Sequence, residues 1–293
     1  MSSKHKGILF AVSASLMFGL SPVFVRLVLD GVNVETMNVL FTGFASLCFL
    51  AVFGVSRKAA FFRSLRGNWR KLALMSLVSA VGSVLYTYGI SLYGPVNATF
   101  LVQFTAVFTI LFGVVFFHER FTRLEAVGIV VAIVGVFVLA YGDLSLEAVG
   151  TTILLGAALF FASANSLSKV YVKNMNPVAL AGGNSMLMFL FITTYTVLAG
   201  KLETAFPSET IVYAVLGAVI GVVLSFILFF KALQVFEVSK AATIRTMEPF
   251  LTAIFSFVIL ALTPTANQLL GGALIVLGVV ILSLTEGKQM HTQ

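Results

Sequence analysis

The chain has 293 residues, of which 59% are hydrophobic and only 10% charged, with a formal net charge of +7. Soluble domains carry roughly 25% charged residues, so a globule in water is excluded for want of a polar skin, and a mean hydropathy of +1.07 makes lipid the solvent. The one cysteine, Cys48, excludes a disulfide scaffold and a cysteine-based metal cluster, and the basic residues sit in short loops between apolar runs as topology signals, not as a nucleic-acid surface.

Taken in chain order, the apolar runs are near 20 residues long and lack period-2 alternation. A helix crosses the hydrocarbon core with about 20 residues and a strand with about 10, so the runs predict helices. They fall near 7–28, 36–55, 72–92, 97–117 and 124–141, then near 148–170, 178–199, 209–231, 239–262 and 266–284. The first run follows Lys4-His5-Lys6 as a signal peptide would, but no soluble domain follows it, and it reads as a retained helix.

Ten helices place the basic residues consistently. With the N-terminus inside, Lys4, Lys6, Arg57, Lys58, Arg63, Arg66, Arg70, Lys71, Arg120, Arg123, Lys169, Lys173, Lys231, Lys240 and Lys288 are cytoplasmic. Only Arg26 and Lys201 fall outside, and Arg245 falls within a span. That bias would be scrambled by one missed helix, and it puts both termini in the cytoplasm of a multi-pass protein of the inner or plasma membrane. The outer loops hold Asp30, Glu35, Asp143, Glu147, Glu203 and Glu209, which weigh little in orientation. The basic stretch Arg57 to Arg70, with Trp69, reads as an interfacial loop on anionic lipid.

An offset of 143 residues maps the first half on the second without gaps. It takes Gly7 to Gly150, Phe18 to Phe161, Arg26 to Lys169, Asn33 to Asn176, Ala98 to Ala241, Thr109 to Thr252, Thr122 to Thr265, Gly128 to Gly271 and Gly135 to Gly278. Five helices is an odd number, so the second copy enters the membrane the other way up. The expected fold is therefore all-α and integral to the membrane, ten transmembrane helices as two inverted five-helix repeats, residues 1–143 and 144–293. Inverted halves that enclose a midplane site and rock about it are the architecture of many secondary transporters.

Charge inside a span costs several kcal/mol and marks function by default. Arg245 and Glu248, in Lys240-Ala-Ala-Thr-Ile-Arg-Thr-Met-Glu-Pro249, are spaced i to i+3 and share a helical face, with Thr252 one turn on. Three readings stand: a site in which Arg245 receives a substrate anion and Glu248 an ammonium or a proton, a neutralising pair that locks the ninth helix, or Arg245 snorkelling to the headgroups. Pro249 and Pro22 are expected to kink the ninth and first helices and to free carbonyls beside a cavity.

The uncharged candidates are Ser21 and Phe18 on the first helix, Asn38 on the second with Thr42 on the same face, and Tyr86 on the third, near Tyr88. On the fourth, Gln103 and Thr105 point nearly opposite ways, and the repeat favours Thr105 as the partner of Glu248. Phe161, Asn165 and Ser168 make a stripe on the sixth, and Asn184 and Ser185 sit on the seventh. Any of these amides and hydroxyls can instead tie neighbouring helices together. The glycines Gly128, Gly135, Gly271, Gly272 and Gly278 read as close helix packing.

Several motifs carry a family resemblance. Glu248-Pro249 before an apolar run, His118-Glu119-Arg120-Phe121-Thr122 closing the fourth helix, and Ala126-Val127-Gly128 through Gly135-Val136 resemble the EamA type of the drug/metabolite transporter superfamily over nearly the whole chain. Ala106 stands where the first half of that family often has proline, and Leu262 where the second half often has glutamate. The resemblance implies export or exchange of amino acids, nucleosides or related metabolites, with a cavity between helices 1–4 and 6–9.

Enzyme chemistry lacks its parts. The histidines are His5, His118 and His291, at tails or helix ends, with no HExxH, no aspartate cluster and no Walker motif. No charged ring or filter-like loop suggests a channel. The expectation is a secondary transporter with no cofactor and no metal, working by alternating access on amino acids or related zwitterions. Alternative cargoes are nucleosides, sugars and amphipathic drugs, and the alternative class is a lipid flippase or scaffold. Small-molecule substrate and bilayer are the expected partners, with protons and a homodimer as further candidates.

Overall fold

The computed structural model describes residues 3–56, 58–117, 122–139, 144–171, 177–233 and 245–289. Every regular element among them is helical. The helices are α1 (Ser3–Leu29), α2 (Val34–Ser56), α3 (Lys58–Val102), α4 (Phe104–Phe117), α5 (Arg123–Leu139), α6 (Leu144–Tyr171) and α7 (Pro177–Leu198). Three consecutive segments then form one rod, α8: Ser208–Leu216, a π-helical stretch Gly217–Leu224, and Ser225–Leu233. The last two are α9 (Glu248–Leu260) and α10 (Ala266–Gln289). Six are long and apolar enough to cross a membrane, and three more apolar helices are shorter. Arg57, Arg120, Lys173, Lys240, Asp143, Asn176, Ala241, His291 and the segment His118–Phe121 lie outside the described residues.

Helix starts are set by side chains that satisfy the free N–H groups of the first turn. The Thr36 amide donates to Asn33 Oδ1 (2.8 Å) at the head of α2. Reciprocal capping boxes open α5, where Thr122 and Glu125 bond each other's amides, and α10, where Thr265 and Gln268 do the same. The two boxes stand 143 residues apart.

Three boundaries depart from the expected ones, the first being the start of α3: the basic stretch read from sequence as an interfacial loop is helical from Lys58 onward. Helical turns follow one another from Lys58 to Val102, through the connection expected between 92 and 97, but not along one axis. Yet the Tyr86 hydroxyl lies 3.4 Å from Thr99 Oγ1, and a straight helix would hold residues 13 apart roughly 20 Å from each other. The chain therefore doubles back at Gly94-Pro95, where Gly94 takes φ +79°, a left-handed value that costs glycine nothing. The interruption falls later, at Gln103, whose amide bonds Phe100 O (3.2 Å) while its carbonyl accepts from Ala106 N (3.0 Å).

The third departure is in the ninth helix. A turn at Thr246–Met247 separates helical Arg245 from the segment that opens at Glu248, so Pro249 stands in the first turn after a break. A proline there gives up an N–H that has no intrahelical acceptor, which is why it is tolerated. Gln103 and Thr246 are 143 residues apart, so both halves break a helix at the same place.

The helices approach closely where glycines face backbone. A Cβ on Gly128 would meet Gly278 O at 2.9 Å, and one on Gly278 would meet Gly128 O at 2.5 Å. Gly135 and Gly271 relate to each other's carbonyls in the same way, both at 2.7 Å. The pairing of 128 with 278 and 135 with 271 makes α5 and α10 antiparallel, as the expected close packing requires. Gly278→Val is expected to cost about 1–3 kcal/mol or more through overpacking against backbone, read as a lower melting temperature of the detergent-solubilised protein.

Candidate functional site

A cavity of about 420 Å³ opens where α1, α2, α3, α6, α7, α8 and α9 converge, within the size range of small-molecule sites. Its walls are largely aromatic and aliphatic, with Ser21, Thr42, Ser83, Asn165 and Asn184 supplying hydroxyls and amides. On α2 the lining runs from Phe41 to Phe49, and on α7 from Met188 back to Leu180. The cavity thus extends from mid-bundle toward the end that carries the C-terminus of α2 and the N-terminus of α7. α1 continues through Pro22 on the cavity wall, which leaves the Phe18 carbonyl without its intrahelical donor. α8 is π-helical where Gly221 and Val222 reach the cavity, and Gly221 lies so close to Ser21 that a Cβ would sit 2.5 Å from Ser21 Cβ.

Among the described lining residues one is charged, Glu248. Its Oε2 accepts from Arg245 Nη2 at 3.3 Å, a long contact for a charge-assisted bond, and Oε1 bonds to nothing among the described residues. Arg245 itself is not in the cavity wall. Its guanidinium lies over Phe18 (4.4 Å to the ring centroid) and Phe229 (5.1 Å), and its Nε is buried without a hydrogen-bond partner. Cation–π contact with two rings holds the guanidinium beside Glu248, outside the residues that line the cavity.

The rings repeat with the chain. Phe18 and Phe229 meet edge to face at 6.5 Å, and Phe161 and Tyr86 do so at 6.0 Å. The offset of 143 carries the first pair onto the second, Phe18 to Phe161 and Tyr86 to Phe229. It also carries Val102 to Arg245 and Thr105 to Glu248, so the aromatic frame is shared by both halves and the charge belongs to one.

Of the residues predicted from sequence, Phe18, Ser21, Tyr86, Phe161, Asn165, Asn184 and Glu248 meet in the cavity wall, and Arg245, Asn38, Gln103 and Thr105 do not. Asn38 is buried and internally satisfied: it donates to Val34 O (2.9 Å) and accepts from Ser83 (2.9 Å) and Thr87 (3.3 Å), fastening α2 to α3. Its helix neighbour Thr42 reaches the cavity instead. Gln103 stands in the helix break, and Thr105 follows it in the first turn of α4.

A second polar cluster, not singled out from sequence, ties α2 to the α7–α8 connection. Glu35, 3% exposed, accepts from the Tyr88 hydroxyl (2.6 Å) and pairs with Lys201. Asn33 donates to Lys201 O (2.7 Å) and to Glu203 through its backbone amide (3.0 Å), while the Glu203 amide donates to Thr36 Oγ1 (2.9 Å). Glu35 and Tyr88 hold the Lys201 ammonium above the usual lysine range. The signal for this cluster was Lys201, one of two basic residues on the sparsely basic side.

Over the described residues the fold is that of an all-helical membrane protein with a cavity of small-molecule size between its helices. The sequence profile of the EamA-like transporter family matches residues 5–141 and again 148–284, two matches displaced by 143 residues. The chain belongs to the EamA-like transporter family, whose members carry small metabolites. It is 25% identical over 295 residues to an uncharacterized transporter of Methanothermobacter thermautotrophicus, covering 94% of this chain and 85% of that one. It is 24% identical over 209 residues to a probable amino-acid metabolite efflux pump of Salmonella typhimurium, covering 63% of this chain and 66% of that one. A solved crystal structure matches in fold with a TM-score of 0.68 at 14% identity, over 95% of this chain and 98% of that one.

Proposed function

We propose that this transporter exports or exchanges amino acids or related zwitterions across the inner or plasma membrane by alternating access. In this reading ten spans form two inverted halves, residues 1–143 and 144–293, with both termini cytoplasmic. The observation that carries it is the cavity of about 420 Å³ between helices of the two halves, open toward one end of the bundle and with Glu248 in its wall. The Glu35, Tyr88 and Lys201 cluster lies at the other end and serves as the closed gate. The doubled family match supports the repeat, and the name of the Salmonella relative supports the cargo class.

The test is uptake into proteoliposomes from a panel of amino acids, nucleosides, sugars and amphipathic drugs, with and without a pH gradient. Saturable movement of apolar amino acids is the expected result. Movement of sugars or nucleosides alone would sink the reading.

A further inference from the structure

We propose that Glu248 and the Tyr86–Phe161 ring pair form an ammonium subsite, and that the cargo is an apolar primary amine whose carboxylate is dispensable. The inference rests on the transport reading above and narrows its substrate class.

Three observations carry it. First, the charge of the described cavity wall is a single carboxylate. A substrate anion finds no lysine or arginine in that wall and meets Glu248 as a like charge, whereas an ammonium finds the Oε1 that Arg245 leaves unbonded. Secondly, Arg245 is held elsewhere, over the Phe18 and Phe229 rings. The guanidinium that the sequence alone allowed as an anion receptor is thus missing from the wall that the ligand meets.

Thirdly, the repeat supplies a vacant counterpart. The Phe18–Phe229 pair receives a cation from the chain; its equivalent, Phe161–Tyr86, does not, because Val102 stands where Arg245 stands in the other half. Tyr86 and Phe161 both line the cavity, and Glu248 lies within electrostatic reach of the Tyr86 hydroxyl. A cation over these rings gains the quadrupole attraction that Arg245 already gains over the others. The apolar body of the ligand then lies against Phe41, Met188 and Phe226, and a carboxylate, where present, meets only neutral groups such as Asn165 and Asn184.

The experiment has two arms. In proteoliposomes that take up labelled phenylalanine, phenylalaninamide is expected to compete as well as phenylalanine, and N-acetylphenylalanine about tenfold worse or more. Equal competition by the N-acetyl compound, or a tenfold loss for the amide, overturns the subsite.

The second arm does not require amino-acid transport. Phenethylamine is expected to raise the melting temperature of the purified protein, and 3-phenylpropionate is not. Glu248→Gln should remove the shift and Tyr86→Leu should weaken binding roughly fivefold. A shift by 3-phenylpropionate, or by neither compound, overturns the proposal. A phenethylamine shift without phenylalanine uptake retains the subsite and removes amino acids from the cargo. Should Tyr86→Leu fail to fold, Phe161→Leu reads the same ring pair.

Discussion

Glu248→Gln is expected to reduce transport ten- to a hundredfold while leaving the fold intact. Gln keeps the shape of the side chain and still offers an oxygen to Arg245, which now donates to Glu248 Oε2 at 3.3 Å. What it lacks is the charge facing the cavity. A hydrogen bond to a charged partner contributes about 1.5–3 kcal/mol, and about 1.4 kcal/mol is a factor of ten. Arg245→Gln should behave in the opposite way. It removes the cation stacked on Phe18 and Phe229 and should lower the melting temperature more than it lowers apparent affinity, because Arg245 positions Glu248 without lining the cavity. Initial rates in proteoliposomes beside melting curves separate the two effects; a Glu248→Gln protein that transports normally but melts early would make the pair purely structural.

Lys201→Met is expected to open the latch side of the bundle. The substitution leaves Glu35 buried with only the Tyr88 hydroxyl as a side-chain partner, and a buried carboxylate stripped of its cation favours any arrangement that lets water in. Thr42 lies two helical turns from Glu35 on α2 and lines the cavity. In a Cys48→Ala, Thr42→Cys background, an impermeant maleimide applied from the latch side should label slowly, and severalfold faster once Lys201→Met or Glu35→Gln is added. Unchanged labelling would mean that the cluster is not the seal. The lysine should keep the latch shut across neutral and mildly alkaline pH. A pKa raised by Glu35 and Tyr88 means the contribution is fully present below the ordinary lysine value, about 10.4, and is lost only as pH rises through the raised value.

Much of the architecture was legible because lipid simplifies the problem. Backbone groups must bond within their own helix, so the apolar runs and the structure's helices agree in place for α1, α2, α6, α7 and α10. The connection near 94 was also legible, since glycine followed by proline marks a turn, although helical bonding runs through it. The start of α9 was not. Arg245 and Glu248 do meet, but across a turn, and the i to i+3 spacing that suits one helical face suits a helix entrance as well.

In the site, residue type found Glu248, Tyr86 and Phe161, while the ring pairing of Tyr86 with Phe161 and of Phe229 with Phe18 is seen only in the fold. The wall position of Thr42 in place of Asn38 depends on how α2 rotates against α3, which no single-helix pattern contains. Glu35 was read as a loop acid of little weight. Its importance comes from Tyr88 and Lys201, 53 and 166 residues away in the chain, a partnership that only the folded bundle reveals.

The glycine seam between α5 and α10 bears on how such a bundle could move. Two helices whose backbones touch, with Ala132 and Leu139 of one and Ile275 and Leu282 of the other buried beside the glycines, resist parting from each other. Gly128 with Gly278 and Gly135 with Gly271 make a tight, fixed seam with one helix from each half. Under the proposed alternating access the cavity helices swing about this seam, and a spin label on each side of it should keep its distance while labels across the Glu35–Lys201 cluster change theirs.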